Sequence, residues 1–562
     1  MTWTDTGVVQ VGVLPDTPPT APPSTPWFIE PVLPHHAIDA GLLGKLVTAM
    51  RREHVPGLSL AGLRAADALG ELHDLPELTA LVLSDSDVGG AALATLQVSL
   101  HRLYLARTAI DDLAIQHVAI AHPQLEVIDL EDTAVGDVGV RALTTIGSLH
   151  AANLAGTAIT DTGGAELAAS AHLEILDLGR TQVAGKTVAA VRGLALRQLF
   201  LDTTRVPAAD LAKLAPLAPT LVRLDVAGLP KPPTDADLAW LATAPNLVEA
   251  GLNGAQVHDA FVRRLLAGAA LRELRIAGAP IGVAIAHEIG KRAELEVVDL
   301  GDTLADDVAA TALLAHPNLR ILRLDHTKVT DAGLAVSPPD SLVELYLTKT
   351  AVTDRGLAIL DQLPQLQGLG LGETAVAGPT IERIARLAHL QTLVLTHVRP
   401  PDAAVFAQLG VLHELGRLYL DDARVGDAEV AAFTDLLGLR VLHLSGTDVS
   451  DEAIATLHRF VLLEELTIGD TRVRDGIADL TAWPHLRTLS LLGLGIGDPG
   501  LAALARRPSL TALDLSSTTI TDPAALVALP RLRTLGLVAD KLSAAGFASA
   551  KQLAARGVEI VR

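Results

Sequence analysis

Two short segments of the chain carry the residue types of known chemical sites. The tripeptide Gly-Lys-Thr at 185–187 matches the end of a phosphate-binding loop, but such a loop needs a glycine where this chain has Arg180. The pair His35–His36 has no histidine or carboxylate near it at the spacing of a metal site. No G-x-S-x-G, H-E-x-x-H or calcium-loop pattern occurs. We therefore expect no catalytic residue, no metal site and no cofactor.

A column of polar and aromatic residues is a stronger candidate, because its members recur at intervals of 22 to 26 residues. Each member stands between the last two leucines of a repeated L-x-x-L-x-L motif. In a strand, both leucines of L-x-L point to one face and the residue between them points to the other. We predict that ten members of this column contact a partner: Tyr104, Asp129, Asp177, Phe200, Asp225, Arg275, Arg323, Tyr346, Tyr419 and His443.

The aromatic members of the column have two interpretations. All three tyrosines of the chain and Phe200 lie in it, although aromatic residues make up only 2% of the sequence. That composition predicts an aliphatic core, so we expect these rings to lie outside it and to contribute little to stability. Tyrosine is also common on strand surfaces for structural reasons alone. We favour the other interpretation, in which Tyr346 and Tyr419 are the walls of a trough that grips a partner.

The charge of the column changes along the chain. The first third is acidic and, apart from Arg107 and Arg180, offers few cations to balance its carboxylates, so we expect it to attract a basic partner. Arg275, Asp299 and Arg323 follow on successive strands, and cross-strand pairing would explain them without a ligand. The acidic residues of the first third are Asp85, Asp129, Glu131, Asp132, Asp177, Asp202 and Asp225.

The elements that position this column belong to a repeat. Residues 319–334 and 342–357 both read L-x-x-L-x-L-x-x-T-x-V-T-D-x-G-L, and the unit recurs about 21 times. The L-x-L core predicts a short strand. T-D-x-G-L predicts a helical start, because Thr can cap a helix and Asp places a negative charge at its N-terminus. In twelve repeats the ninth residue is a threonine that can bond backbone groups at a bend, namely Thr108, Thr133, Thr157, Thr181, Thr204, Thr303, Thr327, Thr350, Thr374, Thr447, Thr471 and Thr518.

With these motifs the sequence resembles leucine-rich-repeat proteins over residues 55–562. T-D-x-G-L is most similar to the bacterial GALA-type and cysteine-containing subclasses, although this chain has Thr where those have Asn or Cys. The resemblance implies an α/β leucine-rich-repeat solenoid, or horseshoe, with a parallel β-sheet on its concave face and helices or 3-10 segments on its convex face. An acidic horseshoe is similar in principle to ribonuclease inhibitor, which binds a basic enzyme.

Three regions are predicted along the chain. Residues 1–36 form a proline-rich arm, since eight of the 31 prolines fall between positions 15 and 34. Residues 37–54 form an amphipathic helix that caps the first repeat, which would otherwise expose an open core. Residues 55–562 are the solenoid of about 21 repeats and end in one last short strand.

Composition narrows the classes of partner. The chain has no cysteine, which excludes disulfides and thiolate chemistry. Its net charge of −21 disfavours nucleic acid and anionic membranes as ligands, and equally serves solubility. We see neither a secretory signal nor a run of eighteen apolar residues, and expect a cytoplasmic protein.

The sequence favours a protein-protein interaction module or scaffold that holds a protein or peptide on its concave face, with a basic partner as one option. One alternative is a secreted bacterial effector that recruits host machinery through its repeats, as the GALA resemblance implies, although residues 1–54 show no convincing F-box. A second alternative, an enzyme, has no constellation of residues behind it. We therefore predict that the chain is not an enzyme.

Overall fold

The computed structural model describes residues 38–400, 402–474, 483–505 and 509–561. The proline-rich arm predicted for residues 1–36 lies outside them. The chain divides into two compact units, Met1–Ala279 and Pro280–Arg562.

The described part of the first unit contains ten three-residue strands, each paired in parallel with the next. Such short strands follow from L-x-L motifs flanked by bends. They are β1 Gly57–Ser59, β2 Ala80–Val82, β3 Arg102–Tyr104, β4 Val127–Asp129, β5 Ala151–Asn153, β6 Ile175–Asp177, β7 Gln198–Phe200, β8 Arg223–Asp225, β9 Glu249–Gly251 and β10 Glu273–Arg275.

The second unit repeats this arrangement with twelve strands among its described residues. The last of them confirms the terminal strand that the sequence predicts. They are β11 Val297–Asp299, β12 Ile321–Arg323, β13 Glu344–Tyr346, β14 Gly368–Gly370, β15 Thr392–Val394, β16 Arg417–Tyr419, β17 Val441–His443, β18 Glu465–Thr467, β19 Thr488–Ser490, β20 Ala512–Asp514, β21 Thr534–Gly536 and β22 Glu559–Val561.

Helices or 3-10 segments connect most successive strands, as parallel pairing requires. In the first unit the helices are α1 Ala40–Glu53, α2 Gly90–Leu93, α3 Asp112–Ala121, α4 Asp137–Leu143, α5 Asp161–Glu166, α6 Gly185–Val191 and α7 Asp259–Gly268, with 3-10 segments Leu69–Glu71, Leu167–Ala169, Ala208–Leu217 and Ala239–Thr243. In the second they are α8 Val283–Ile289, α9 Asp307–Leu314, α10 Gly378–Ile384, α11 Asp427–Ala431, α12 Asp451–Leu457, α13 Asp498–Leu504 and α14 Ala544–Ala555, with 3-10 segments Gly356–Gln362, Ala403–Val411, Pro523–Ala528 and Ala539–Lys541.

Helix α1 begins where the sequence predicts a helix. The Asp39 carboxylate accepts a hydrogen bond from the Leu42 N–H at 2.7 Å and thereby caps the helix. Leu43, Val47 and Met50 are buried along one face. The helix therefore removes a row of apolar side chains from water at the start of the repeats.

The core lies between the strands and the helical segments and is mainly aliphatic. The central residue of nearly every strand is a buried Leu, Ile, Val or Ala. The expectation of a core without rings is wrong, since Phe261, Phe406, Phe433, Phe460 and Trp483 are among the largest fully buried side chains. A low aromatic content does not determine where the few rings go, and a ring buried on the helical side removes a large apolar area from water.

The twelve threonines form a spine of hydroxyls bonded to the backbone, as the sequence predicts; ten of them are buried, and Thr374 and Thr471 are half-buried. Each hydroxyl donates a hydrogen bond of 2.5–2.8 Å to the carbonyl oxygen three residues earlier. Thr350, for example, donates to Leu347 at 2.6 Å. The bond closes the bend after the strand within its own repeat, and satisfies a carbonyl that water does not reach.

The aspartate at this position of the repeat, also where Gly or Asp replaces the threonine of T-D-x-G-L, has a role that the sequence did not predict. Asp137 lies in the first turn of α4, as expected, but its carboxylate bonds to the next repeat. It accepts from the Thr160 N–H at 2.8 Å and from the Thr160 hydroxyl at 2.6 Å. The same pair of bonds links Asp307 to Thr330, Asp331 to Thr353, Asp427 to Ser450 and Asp498 to Thr521. We call these contacts the aspartate ladder.

The glycine of the same motif makes room for this ladder. A Cβ atom on Gly163 would lie 2.4 Å from Asp137 Oδ1 and 2.8 Å from Asp137 Cα. On Gly356 it would lie 2.4 Å from Asp331 Oδ1. The glycine and the aspartate of the previous repeat therefore occupy one shared space, which explains why the motif joins them.

Candidate partner-binding face of the strands

The ten predicted residues are each the third residue of a strand, on the face opposite the core. Within the first unit, neighbouring strands place Tyr104 beside Asp129, and Phe200 between Asp177 and Asp225. Within the second unit, Arg323 lies beside Tyr346, and Tyr419 lies beside His443. Six of the ten belong to the first unit and four to the second, so each group is described within its own unit.

The three aspartates among the ten predicted residues have a structural role in their own repeats. Each accepts a hydrogen bond from the N–H two residues later: Asp129 at 3.1 Å, Asp177 at 2.9 Å and Asp225 at 2.9 Å. Asn153 makes the same contact with its side-chain oxygen at 3.1 Å. Where the column residue accepts this hydrogen bond, a neutral amide therefore supplies the oxygen as well as a carboxylate does.

Burial destabilises the ionised form of these three aspartates. Burial raises the pKa of Asp129 to about 6, that of Asp177 to about 7 and that of Asp225 to about 6. The charges of Asp202 and Glu131 add to the increase for Asp177. The increase remains although each carboxylate accepts a backbone hydrogen bond, which favours the ionised form.

Other carboxylates of the acidic third are balanced by arginine, so the expectation of an unbalanced region is wrong in part. Arg107 donates to Asp85 at 2.7 Å and to Glu131 at 3.3 Å. Arg180 donates to Glu131 at 2.6 Å and to Asp132 at 2.8 Å. These ion pairs join residues that are 22 to 49 positions apart in the sequence. The pattern within a single repeat therefore does not reveal them.

Two aromatic residues of the first unit pack against the sheet. Phe200 is only 8% exposed, which contradicts the expectation that the column rings take no part in packing. Tyr104 packs against a cluster of buried residues on the strand face, formed by Val127, Ala151 and Ile175. The first residue of each strand points to the same side as the third, so aliphatic residues at that position give the rings a surface to pack on.

Glutamates at the first strand position are functional candidates that the sequence analysis missed. Arg275 donates to Glu249 at 2.7 Å and to Glu273 at 2.9 Å, and Glu249 is only 3% exposed. Arg323 donates to Glu344 at 3.4 Å. The alternation of side chains along a strand could have identified these glutamates, because it places them on the same face as the column.

Tyr346 does not stand as a wall of an open trough. A Cβ atom on Gly370 would lie 2.5 Å from Tyr346 Cδ1, and one on Gly368 would lie 2.9 Å from the Tyr346 hydroxyl. The ring therefore lies across β14, and the Arg323 guanidinium lies 4.7 Å from its centroid. Burial and the charge of Glu344 raise the pKa of Tyr346 to about 12.

We expect Tyr346→Ala to lower the free energy of unfolding by about 2 kcal/mol. The substitution removes both the packing of the ring on β14 and its contact with the Arg323 guanidinium. Tyr346→Phe keeps the ring and should change stability by less than about 0.5 kcal/mol. Urea unfolding followed by circular dichroism measures both. Equal stability of the alanine variant and the unchanged chain would contradict this packing.

His443 is a fixed cation on the same face. Its Nδ1 lies 3.2 Å from Asp421 Oδ2, and its Nε2 lies 2.9 Å from Glu465 Oε1. Burial alone would lower the pKa of His443, but hydrogen bonds to these two carboxylates raise it to about 9. The Tyr419 ring meets the imidazole edge-to-face with centroids 4.6 Å apart. Together, Tyr419 and His443 present a ring beside an imidazole whose two nitrogens are paired with carboxylates.

The phosphate-loop tripeptide has a structural explanation. It begins α6, and the N–H groups of Lys186 and Thr187 donate to the Asp161 carboxylate at 3.0 and 2.8 Å. These are the kind of N–H groups that would have to hold a phosphate.

Two further findings concern only the ranges that the structure describes. Those ranges contain no group of three or more His, Cys, Asp or Glu side chains placed to hold a metal ion. Nor does any helix in them combine the length and the apolar composition that a membrane crossing requires.

Short parallel strands with a repeated L-x-L core, joined through helices and 3-10 segments, define a leucine-rich-repeat fold of the α/β class. The family model described as leucine-rich repeat matches residues 507–526. No curated protein matches the chain.

Solved structures with similarity to the chain include leucine-rich-repeat proteins of plants and bacteria. The ectodomain of the Arabidopsis receptor kinase HAESA, solved with a peptide hormone, is 17% identical over 86% of this chain and 83% of its own, with a TM-score of 0.36. The ectodomain of GASSHO1/SCHENGEN3 from Arabidopsis thaliana is 15% identical over 89% and 77%, with a TM-score of 0.32. A leucine-rich-repeat protein of Leptospira interrogans is 16% identical over 80% and 92%, with a TM-score of 0.33.

Proposed function

We propose that the chain is a protein-interaction module, and that the strand face of its first unit binds a basic segment of a partner protein. The binding residues are the column aspartates Asp129, Asp177 and Asp225, together with Tyr104 beside them. The face of the second unit, with Tyr419 and His443, is a separate contact region.

One observation carries this proposal: the chain has a carboxylate at positions where a neutral side chain can make the same backbone hydrogen bond. Asn153 performs the structural task of the column without a charge. At the equivalent position of β4, β6 and β8 the chain has a carboxylate whose ionised form is disfavoured by burial. A lysine or arginine of a partner would supply the missing positive charge, so that binding would regain the free energy that ionisation costs the free protein.

The same charges restrict the class of partner. Carboxylates on the binding face repel the phosphates of nucleic acids and of anionic lipids, and the net charge of −21 acts in the same direction. These negative charges attract a basic protein segment, and the attraction increases the association rate at low salt.

The test is the affinity of a synthetic arginine-rich peptide for the full chain. Asp129→Asn, Asp177→Asn and Asp225→Asn together preserve the backbone hydrogen bonds and remove three charges. We expect this triple variant to bind at least about tenfold more weakly at low salt, with a smaller difference at high salt.

A second triple variant controls for net charge. Asp340, Glu382 and Asp435 are exposed residues of the second unit, and changing them to Asn, Gln and Asn removes the same number of charges. The control should bind almost as the unchanged chain does. Equal loss of affinity in the two triple variants would show that total charge, and not the strand face, attracts the peptide.

A further inference from the structure

A stretch of the first unit lacks the aspartate ladder at two successive joints between repeats. Where the ladder is present, an aspartate begins one helical segment and bonds to the residue before the next segment. Asp161, for example, begins α5 and accepts from the Ala184 N–H at 2.9 Å. Gly185 and Ala208 begin the two segments that follow, and neither has a carboxylate. The ladder therefore cannot form between the segment at Gly185 and the turn at Thr234.

The donors of the missing bonds are changed as well. Pro207 precedes the segment Ala208–Leu217 and has no N–H to donate. Thr234 has both donors, but its N–H and its hydroxyl bond to Asp237 of its own turn, at 2.9 and 2.7 Å. The first of the two joints thus lacks both the donor and the acceptor, and at the second the donor bonds within its own repeat.

The second unit has a stretch of the same kind. Gly378 and Ala403 begin successive helical segments there and have no carboxylate. The Asp402 carboxylate, at the position of the donor, caps its own segment. At the next joint the Gly426 N–H donates to Glu429 of its own helix at 2.8 Å. The two stretches therefore share one arrangement, in which helical starts are satisfied within a repeat instead of between repeats.

The sheet continues through both stretches. Strands β6 to β9 are paired in register, and so are strands β14 to β17. Backbone bonds beside the strands continue as well, as from the Arg205 N–H to the Val183 carbonyl at 3.0 Å. Neighbouring repeats thus stay joined through their strands, and the missing bonds belong to the helical side alone.

We propose that the helical side of each unit opens at these stretches while the sheet stays paired. The segments that open are Ala208–Leu217 and Ala403–Val411, which we call the gap segments. The stability of a repeat protein is a sum of terms within repeats and terms between neighbours, so a repeat with fewer bonds to its neighbours opens at a lower free energy. The first gap segment connects β7 to β8, so its opening acts on the part of the strand face that carries Phe200 and Asp225.

The segment Gly356–Gln362 is a matched control within the same chain. It is a 3-10 helix, as both gap segments are. The joints on both sides of it have the ladder. Asp331 accepts from the N–H and the hydroxyl of Thr353 at 2.8 and 2.7 Å, and Asp354 accepts from the Ala377 N–H at 2.9 Å. The control therefore separates the effect of the ladder from the weaker hydrogen-bond geometry of a 3-10 helix.

Hydrogen–deuterium exchange of the full chain, followed by mass spectrometry and divided by the intrinsic rate of each amide, measures the opening. We expect both gap segments to be at least about tenfold less protected than Gly356–Gln362, because the control must break bonds to charged acceptors before it opens. Strands β7, β8, β15 and β16 should stay more protected than the gap segments. Equal protection of the three segments, or exchange of these strands together with the gap segments, would overturn the proposal.

Asp331→Ala with Asp354→Ala creates a ladder gap on both sides of the control segment. This double variant should lower the protection of Gly356–Gln362 to the level of the gap segments and leave Ala208–Leu217 unchanged. Asp340→Ala with Glu382→Ala removes the same number of charges at exposed positions and should change neither. Unchanged protection of Gly356–Gln362 in the ladder variant would also overturn the proposal. If that variant does not fold, the comparison of the three segments in the unchanged chain still decides.

Discussion

Gly163→Ala is expected to lower the free energy of unfolding of the first unit by about 3 kcal/mol. The added Cβ would meet both the carboxylate and the Cα atom of Asp137, so a side-chain rotation cannot relieve the contact. The aspartate must withdraw from Thr160, which breaks two hydrogen bonds to a charged acceptor. Bonds of this kind are worth about 1.5–3 kcal/mol each. Urea unfolding measures the loss.

Gly147 offers a matched control from the preceding repeat. Nothing lies within 4 Å of a Cβ atom built on it, and its backbone is not in the left-handed region. Gly147→Ala should therefore leave stability unchanged or increase it slightly by restricting the unfolded chain. If the two alanine variants proved equally stable, the aspartate ladder would not hold the repeats together as described.

Asp177→Asn is expected to stabilise the first unit by roughly 4 kcal/mol at pH 8 and by less than half of that at pH 5. The folded-state pKa of Asp177, about 7, lies above its ordinary value of 3.8. A raised pKa means that the folded protein holds the proton more tightly than the unfolded chain. The resulting stabilisation is present at low pH and is lost as the pH rises through 7. Asparagine keeps the acceptor for the Gly179 N–H and removes this dependence.

The reverse change, from asparagine to aspartate on the neighbouring strand β5, should lower stability instead. Asn153→Asp places a third carboxylate between Asp129 and Asp177, with which it is in register. This variant should be less stable than the unchanged chain at pH 8, and the difference should be smaller at pH 5. Thermal unfolding at the two pH values is the measurement. A pH-independent effect of Asp177→Asn would mean that ionisation of Asp177 does not destabilise the folded protein.

The sequence predicts the fold class, the strands and the direction in which each column residue points, because all three follow from a period of about 24 residues and from the alternation within L-x-L. It also predicts the threonine spine, whose bonds span three residues. Contacts between repeats were harder to predict. The bonds of Asp137 to Thr160 and of Arg180 to Glu131 depend on how far one repeat is displaced over the next and on side-chain rotamers.

In the candidate site, too, the sequence predicts the direction of a side chain but not its contacts. Alternation along the strand places Tyr346 on the outer face, but only the structure shows that it lies over Gly370 with Arg323 against it. The sequence identifies Asp129, Asp177 and Asp225 as a column of charge. Their raised pKa values depend on burial, which a repeat pattern does not determine.

The most direct test of the binding face is the number of protons released when the arginine-rich peptide binds at pH 6.5. Titration calorimetry in two buffers of different ionisation enthalpy gives this number. The column aspartates are partly protonated at that pH, and a bound cation lowers their pKa, so we predict a release of about one proton or more. At pH 8.5 the release should vanish, and the triple asparagine variant should release none at either pH. Binding of the peptide to the unchanged chain at pH 6.5 without proton release would contradict the account.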